Sequence, residues 1–73
     1  MDISNKIRSL REDNDFTQQE IADLLGIQQT VYSRYETERS QLPVHHLYKL
    51  CLIYKVSSDY ILGLPKGLNH PER

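Results

Sequence analysis

The sequence predicts an all-α fold: five short helices around one core, without a sheet. Three observations carry this. Apolar residues recur at helical spacing in successive segments. Most of those segments are bracketed by helix-start and helix-stop residues. The chain has 73 residues, which is room for one core and not two.

The first helix is predicted over about residues 3–13. Ile3, Ile7 and Leu10 stand at i, i+4 and i+7, Asp2 or Ser4 can cap the start, and Lys6 and Arg8 lie off the stripe. Asp13-Asn14-Asp15 is turn chemistry and ends it.

The second helix has a full start signal. Thr17 can cap it, Glu20 completes a capping box, and Phe16 and Ile21 stand where a hydrophobic staple would join. Ala22, Leu24 and Leu25 continue the apolar side to Gly26, which suits a left-handed stop. The small Ala22 side chain leaves room for a steep crossing by the next helix.

That third helix is predicted from about Gln28 to Glu36. At about 100° per residue, Val31, Tyr32 and Tyr35 share one side, while Gln29, Thr30, Ser33 and Thr37 share the other with Arg34 on its flank. Thr37 to Gln41 is a polar connection. Pro43 belongs near the first turn of a fourth helix. Its spacing, Val44, Leu47, Leu50, Cys51 and Tyr54, places those residues at the back of the core. Lys55 stands at the helix end, where Gly or Asn is usual. Ser57 then caps a fifth helix, with Val56 and Ile61 as a second staple and Gly63 as the stop. Residues 64–73 hold two prolines and one glycine, which predicts a flexible tail or one packed on a second subunit.

The segment TQQEIADLLGIQQTVYSRYE resembles the lambda-repressor-like, Cro-type (XRE) helix-turn-helix family. The likeness rests on T-Q-x-E-[IL]-A, a Gly and an apolar residue before the next helix, and S-R-Y-E at its end. It extends through LPVHHLYKLCLIYKVSSDYILG to the closing helices, so that residues 1–63 form the domain. The resemblance implies a lambda-repressor-like DNA-binding domain with the helix-turn-helix at its second and third helices. It also implies a transcriptional regulator, a repressor in the first instance. Arg11 and Glu36 match positions that the family pairs across the domain, in bidentate geometry suited to fixing orientation. The loop after the third helix would follow the DNA backbone through Arg39, Ser40 and Gln41. Glu38 departs from the glycine usual there, and a carboxylate facing phosphate opposes binding.

Gln29, Thr30, Ser33 and Arg34 are the expected base contacts. Gln can bond adenine bidentately, Arg favours guanine, and Thr offers a hydroxyl and a methyl. The competing reading is a merely solvated helix face. Gln18 and Gln19, in the first turn of the second helix, and Gln28, a poor cap, are expected at phosphates. Tyr32 and Tyr35 point inward and are expected to pack in the core or at its rim, and Tyr48, Tyr54 and Tyr60 are expected to be structural.

The formal net charge of −1 does not by itself suggest DNA. Residues 1–36 carry four basic and seven acidic side chains, and residues 37–73 carry five and three. The local field at the binding face decides the matter, not the total. A module this small makes few contacts, which argues for a homodimer on a palindromic site. Tyr60, Ile61, Leu64 and Leu68 are the expected dimer surface. The acidic N-terminal half keeps a second class open, an antitoxin or other protein-interaction module.

Other classes find little support. No Ser/His/Asp spacing or glycine-rich phosphate loop is present, and a small pocket is all the chain can form, so no enzyme, cofactor or small-molecule ligand is expected. The single cysteine excludes an internal disulfide and a Cys-based zinc site, and Cys51 lies in an apolar run. His45 and His46 are adjacent and diverge on a helix, so no metal is expected. No window approaches 18 apolar residues and no basic start precedes an apolar stretch, so no membrane partner and a cytoplasmic location are expected.

Overall fold

The computed structural model describes residues 2–63, which form five helices. They are α1 (Ile3–Asp13), α2 (Gln18–Leu25), α3 (Gln29–Glu36), α4 (Val44–Tyr54) and α5 (Ser58–Leu62). The tail, with Leu64 and Leu68, lies outside the described residues.

Each start is capped as its chemistry dictates, or left uncapped where that chemistry is wrong. Asp2 accepts from the Asn5 N–H at 3.2 Å and opens α1. At α2 the Glu20 N–H donates to the Thr17 hydroxyl at 3.1 Å, and the Thr17 N–H donates to the Glu20 carboxylate at 2.9 Å. The Ser57 hydroxyl accepts from the Tyr60 N–H at 3.2 Å to start α5. Gln28 makes no side-chain cap, its amide being too long to fold back on the first turn. Pro43 stands one position ahead of α4, with φ −65° and ψ 151°, and its carbonyl accepts from the Leu47 N–H at 3.0 Å.

All five helix ends turn through a residue of positive φ: Asp15 at 59°, Gly26 at 73°, Glu38 at 63°, Lys55 at 57° and Gly63 at 73°. At the first four, the next N–H returns to a carbonyl five residues back, as in a Schellman closure. The bonds are Phe16 to Arg11 at 3.0 Å, Ile27 to Ala22 at 3.0 Å, Arg39 to Arg34 at 2.9 Å and Val56 to Cys51 at 3.1 Å. Phe16, Ile27 and Val56 then pack against the core. The chain thus repeats a unit: left-handed residue, apolar anchor, next helix start.

The core gathers Ile7 and Leu10 of α1, Ile21, Ala22 and Leu25 of α2, Tyr32 and Tyr35 of α3, Leu50 and Tyr54 of α4, and Ile61 of α5. Each large apolar side chain withdrawn from water contributes about 1.5–3 kcal/mol before entropy is counted. Aromatic edges lock the centre: Tyr32 meets Tyr35 at 6.2 Å and 89°, and Phe16 meets Tyr54 at 6.2 Å and 63°.

Several expectations are corrected here. On α4 the expected stripe holds at Leu50 and Tyr54, which are buried, and at Leu47 and Cys51, which pack against the core, but Val44 is 80% exposed and His46 is buried instead. His46 takes the first-turn position because it stands four and eight residues before Leu50 and Tyr54, on their side of the helix. Cys51 is half-buried rather than buried. Tyr48 and Tyr60 are exposed, and Lys6 holds its ammonium 4.7 Å above the Tyr60 ring. Leu24, expected inside, is 48% exposed because α2 turns Ile21, Ala22 and Leu25 inward instead. His45 and His46 do not diverge, since their rings approach to 4.1 Å. Ile61, expected on a dimer surface, is 1% exposed and belongs to the core. The five-residue α5 has one inward position, and Ile61 takes it.

Candidate nucleic-acid interface

The packing of Tyr32 and Tyr35 decides which way α3 faces. With those rings buried, Thr30 and Arg34 are exposed on the outward side, and Gln29 and Ser33 are half-buried at its edge. The four side chains expected at bases therefore share one accessible face. Gln28 is exposed just ahead of it, and Thr37 and Glu38 are exposed just beyond. The Thr37 hydroxyl donates to the Ser33 carbonyl at 3.0 Å and tidies the last turn.

Arg39, Ser40 and Gln41 are exposed and continue the same edge. The Arg39 and Ser40 N–H groups both return to the Arg34 carbonyl, at 2.9 and 3.2 Å, and close α3. Their backbone amides are therefore spent, and only the side chains are left to meet an anion. Glu38 makes that turn in place of the usual glycine, with its carboxylate exposed.

Beneath the face, Arg11 and Glu36 form a bidentate pair, Nε to Oε2 at 2.7 Å and Nη2 to Oε1 at 3.2 Å. The two side chains are 13% and 2% exposed, so the pair ties α1 to the end of α3 away from water. Arg11 also donates to the Phe16 carbonyl at 2.9 Å. Burial pushes the Glu36 carboxyl upward, but donation from Arg11 and Gln18 outweighs it and holds the group below the ordinary carboxylate range. The Glu36 hydrogen bond raises Arg11 in return. The Tyr32 phenol is pushed far up, first by burial and then by the neighbouring Glu36 charge.

The same carboxylate reaches the surface through two amides. Gln18 Nε2 donates to Glu36 Oε1 at 3.1 Å, and Gln29 Nε2 donates to Gln18 Oε1. This chain crosses sequence separations of 18 and 11 residues, so no local pattern announces it. Gln19 is turned along its own helix and donates to Asp23 at 2.8 Å. Gln18 and Gln29 stand at the face, while Gln19 is engaged beside it.

Among the described residues no cluster of three or more His, Cys, Asp or Glu side chains is placed to hold a metal. No helix among them is long and apolar enough to cross a membrane.

Two crossed helices with a tight turn at Gly26, the second presenting polar side chains, define a helix-turn-helix. The Helix-turn-helix family profile matches residues 7–61, and the chain belongs to that family. It is 39% identical over 59 residues to the uncharacterized HTH-type transcriptional regulator YobD of Bacillus subtilis, covering 81% of this chain and 53% of that one. Antitoxin PezA of Streptococcus pneumoniae is 37% identical over 70 residues, covering 96% and 44% respectively. HTH-type transcriptional regulator ImmR of Bacillus subtilis is 33% identical over 63 residues, covering 86% and 50%. The chain spans about half the length of these curated relatives. No solved structure matches it significantly.

Proposed function

We propose that the chain is a sequence-specific DNA-binding regulator of transcription, acting as a repressor. It works as a homodimer, with α3 of each subunit in the major groove of a palindromic operator. The observation that carries this is the outward face of α3, where Gln29, Thr30, Ser33 and Arg34 are accessible together on a rigidly held helix. Arg34 would bond guanine O6 and N7, Thr30 and Ser33 either donor or acceptor edges, and Gln29 adenine. Gln18, Gln28 and the side chains of Arg39, Ser40 and Gln41 would contact phosphates on either side, with Gln19 in reserve if Asp23 releases it. Two copies would read half-sites about 34 Å apart.

Selection of bound duplexes from random sequence tests the reading. An inverted repeat is expected, and a protein that enriches no sequence even at low salt would overturn it. Arg34→Ala should keep the native melt yet lose roughly 5–150-fold in affinity for the selected site, since a good base pairing is worth about 1–3 kcal/mol. Binding should also fall steeply between about 50 and 200 mM salt if phosphates are neutralised.

A second reading is supported by the match to a protein named antitoxin and by the exposed apolar side of α4. Under it, the same domain binds a protein partner. Tight capture of a partner by a chain that ignores DNA at low salt would select it.

A further inference from the structure

We propose that Glu36, buried and unable to touch DNA itself, sets which bases Gln29 accepts by fixing the orientation of its amide through Gln18. The proposal rests on the DNA-binding reading above and deepens it.

The logic is one of donors and acceptors. Ionised Glu36 can only accept, and Arg11 holds it ionised with two hydrogen bonds of 2.7 and 3.2 Å. The end of the Gln18 amide that meets it must therefore be nitrogen, as the 3.1 Å contact to Glu36 Oε1 requires. The other end of Gln18 is then oxygen, which can only accept. Gln29 must turn its nitrogen toward that oxygen, as it does. The Gln29 oxygen is left to point outward, with the second N–H beside it.

A neutral network of amides would allow every member to flip together, because an amide carries a donor at one end and an acceptor at the other. One buried charge removes that freedom and gives the chain a single polarity. Outward oxygen with a flanking N–H suits adenine, which offers an N6 donor beside the N7 acceptor. Guanine offers only O6 and N7 acceptors on that edge, so the Gln29 oxygen would face a lone pair. Glu36, whose side chain is 2% exposed, is thus a positioning residue that acts through Gln18.

The test compares selected sites for the wild type, Gln29→Ala, Gln18→Met and the paired variant Arg11→Met/Glu36→Gln. Pairing the substitutions avoids leaving either charge buried alone. Gln29→Ala identifies the base position that Gln29 reads. There the wild type should prefer adenine over guanine by roughly 5–150-fold, the range of one good bidentate contact. In the paired variant the preference should shrink to within about threefold, while all other positions keep theirs. A merely structural role for Glu36 would instead weaken all sequences alike, and that result overturns the proposal. So does an unchanged preference. If the paired variant does not fold, Gln18→Met decides, because it leaves the Arg11–Glu36 pair in place and should relax the same single position. Sites selected by the wild type but indifferent to Gln29→Ala overturn this inference alone. A wild type that selects no site overturns the proposed function as well.

Discussion

At the scale of single residues, buried polar groups divide into satisfied and unsatisfied. Glu36 is fully engaged, by Arg11 and Gln18, and its low pKa means that it stabilises the fold at neutral pH. That contribution is lost only as pH falls through its depressed value, below the ordinary 4.5. His46 is the opposite case. It is buried against Tyr35, ring centroids 5.9 Å apart, and its Nδ1 has no partner. Burial, then the proximity of His45 and Lys49, lowers its pKa from 6.5. Below pH 6.5 the unfolded chain takes up a proton that the native one refuses, so stability declines as pH falls. Thermal melts should therefore drop in midpoint between about pH 7.5 and 5.5, above the range in which carboxylates titrate. His46→Leu should flatten that dependence; an equal drop in the variant would assign it elsewhere.

At the scale of elements, the helix ends are where stability was left unclaimed. Glu38 and Lys55 adopt φ of 63° and 57°, a conformation that costs a residue with a Cβ about 1–2 kcal/mol. Glycine avoids that cost but loses more entropy on folding. Glu38→Gly and Lys55→Gly should each gain roughly 0.5–1 kcal/mol net, or about 2–8 °C in a domain of this size. Calorimetry checks both, and a lowered midpoint would mean that the side chains make contacts outweighing the strain. Glu38→Gly should also tighten DNA binding, by removing a carboxylate beside the proposed phosphate contacts, where Lys55→Gly should not. Gly26, at φ 73°, is the converse: any side chain there meets open space yet is strained.

At the scale of the whole molecule, α4 has more apolar surface than one core can cover. Val44, Tyr48 and Leu52 are 80, 65 and 60% exposed, and spacing of four puts them on one outward stripe. Val44 and Tyr48, with Leu47, Cys51 and Leu62, border a groove of about 510 Å³. An exposed apolar patch on a small domain suits a protein contact. The stripe is symmetric about Tyr48, so a second copy running antiparallel would set Val44 of each against Leu52 of the other. This moves the proposed dimer contact from Ile61 to α4, with Tyr60 still exposed nearby. Tyr48→Glu and Leu52→Glu should convert dimer to monomer in sedimentation and weaken operator binding while leaving the helical spectrum intact. A dimer that survives both places the contact elsewhere.

The local signals were strong enough to settle the helices, because caps, staples and stops act within four residues of one another. Thr17 with Glu20, Gly26, Ser57 and the outward set on α3 could all be read from the sequence. The bidentate partners Arg11 and Glu36 were legible only through resemblance to a family. Tertiary packing decided what depends on distant neighbours. It chose His46 over Val44 as the inward side of α4, drew Ile61 into the core, and linked Gln29 through Gln18 to a buried charge. Val44 and His46 both stand in the first turn of α4 and only the packed core chooses between them, and a hydrogen-bond chain exists only once the helices that carry it meet.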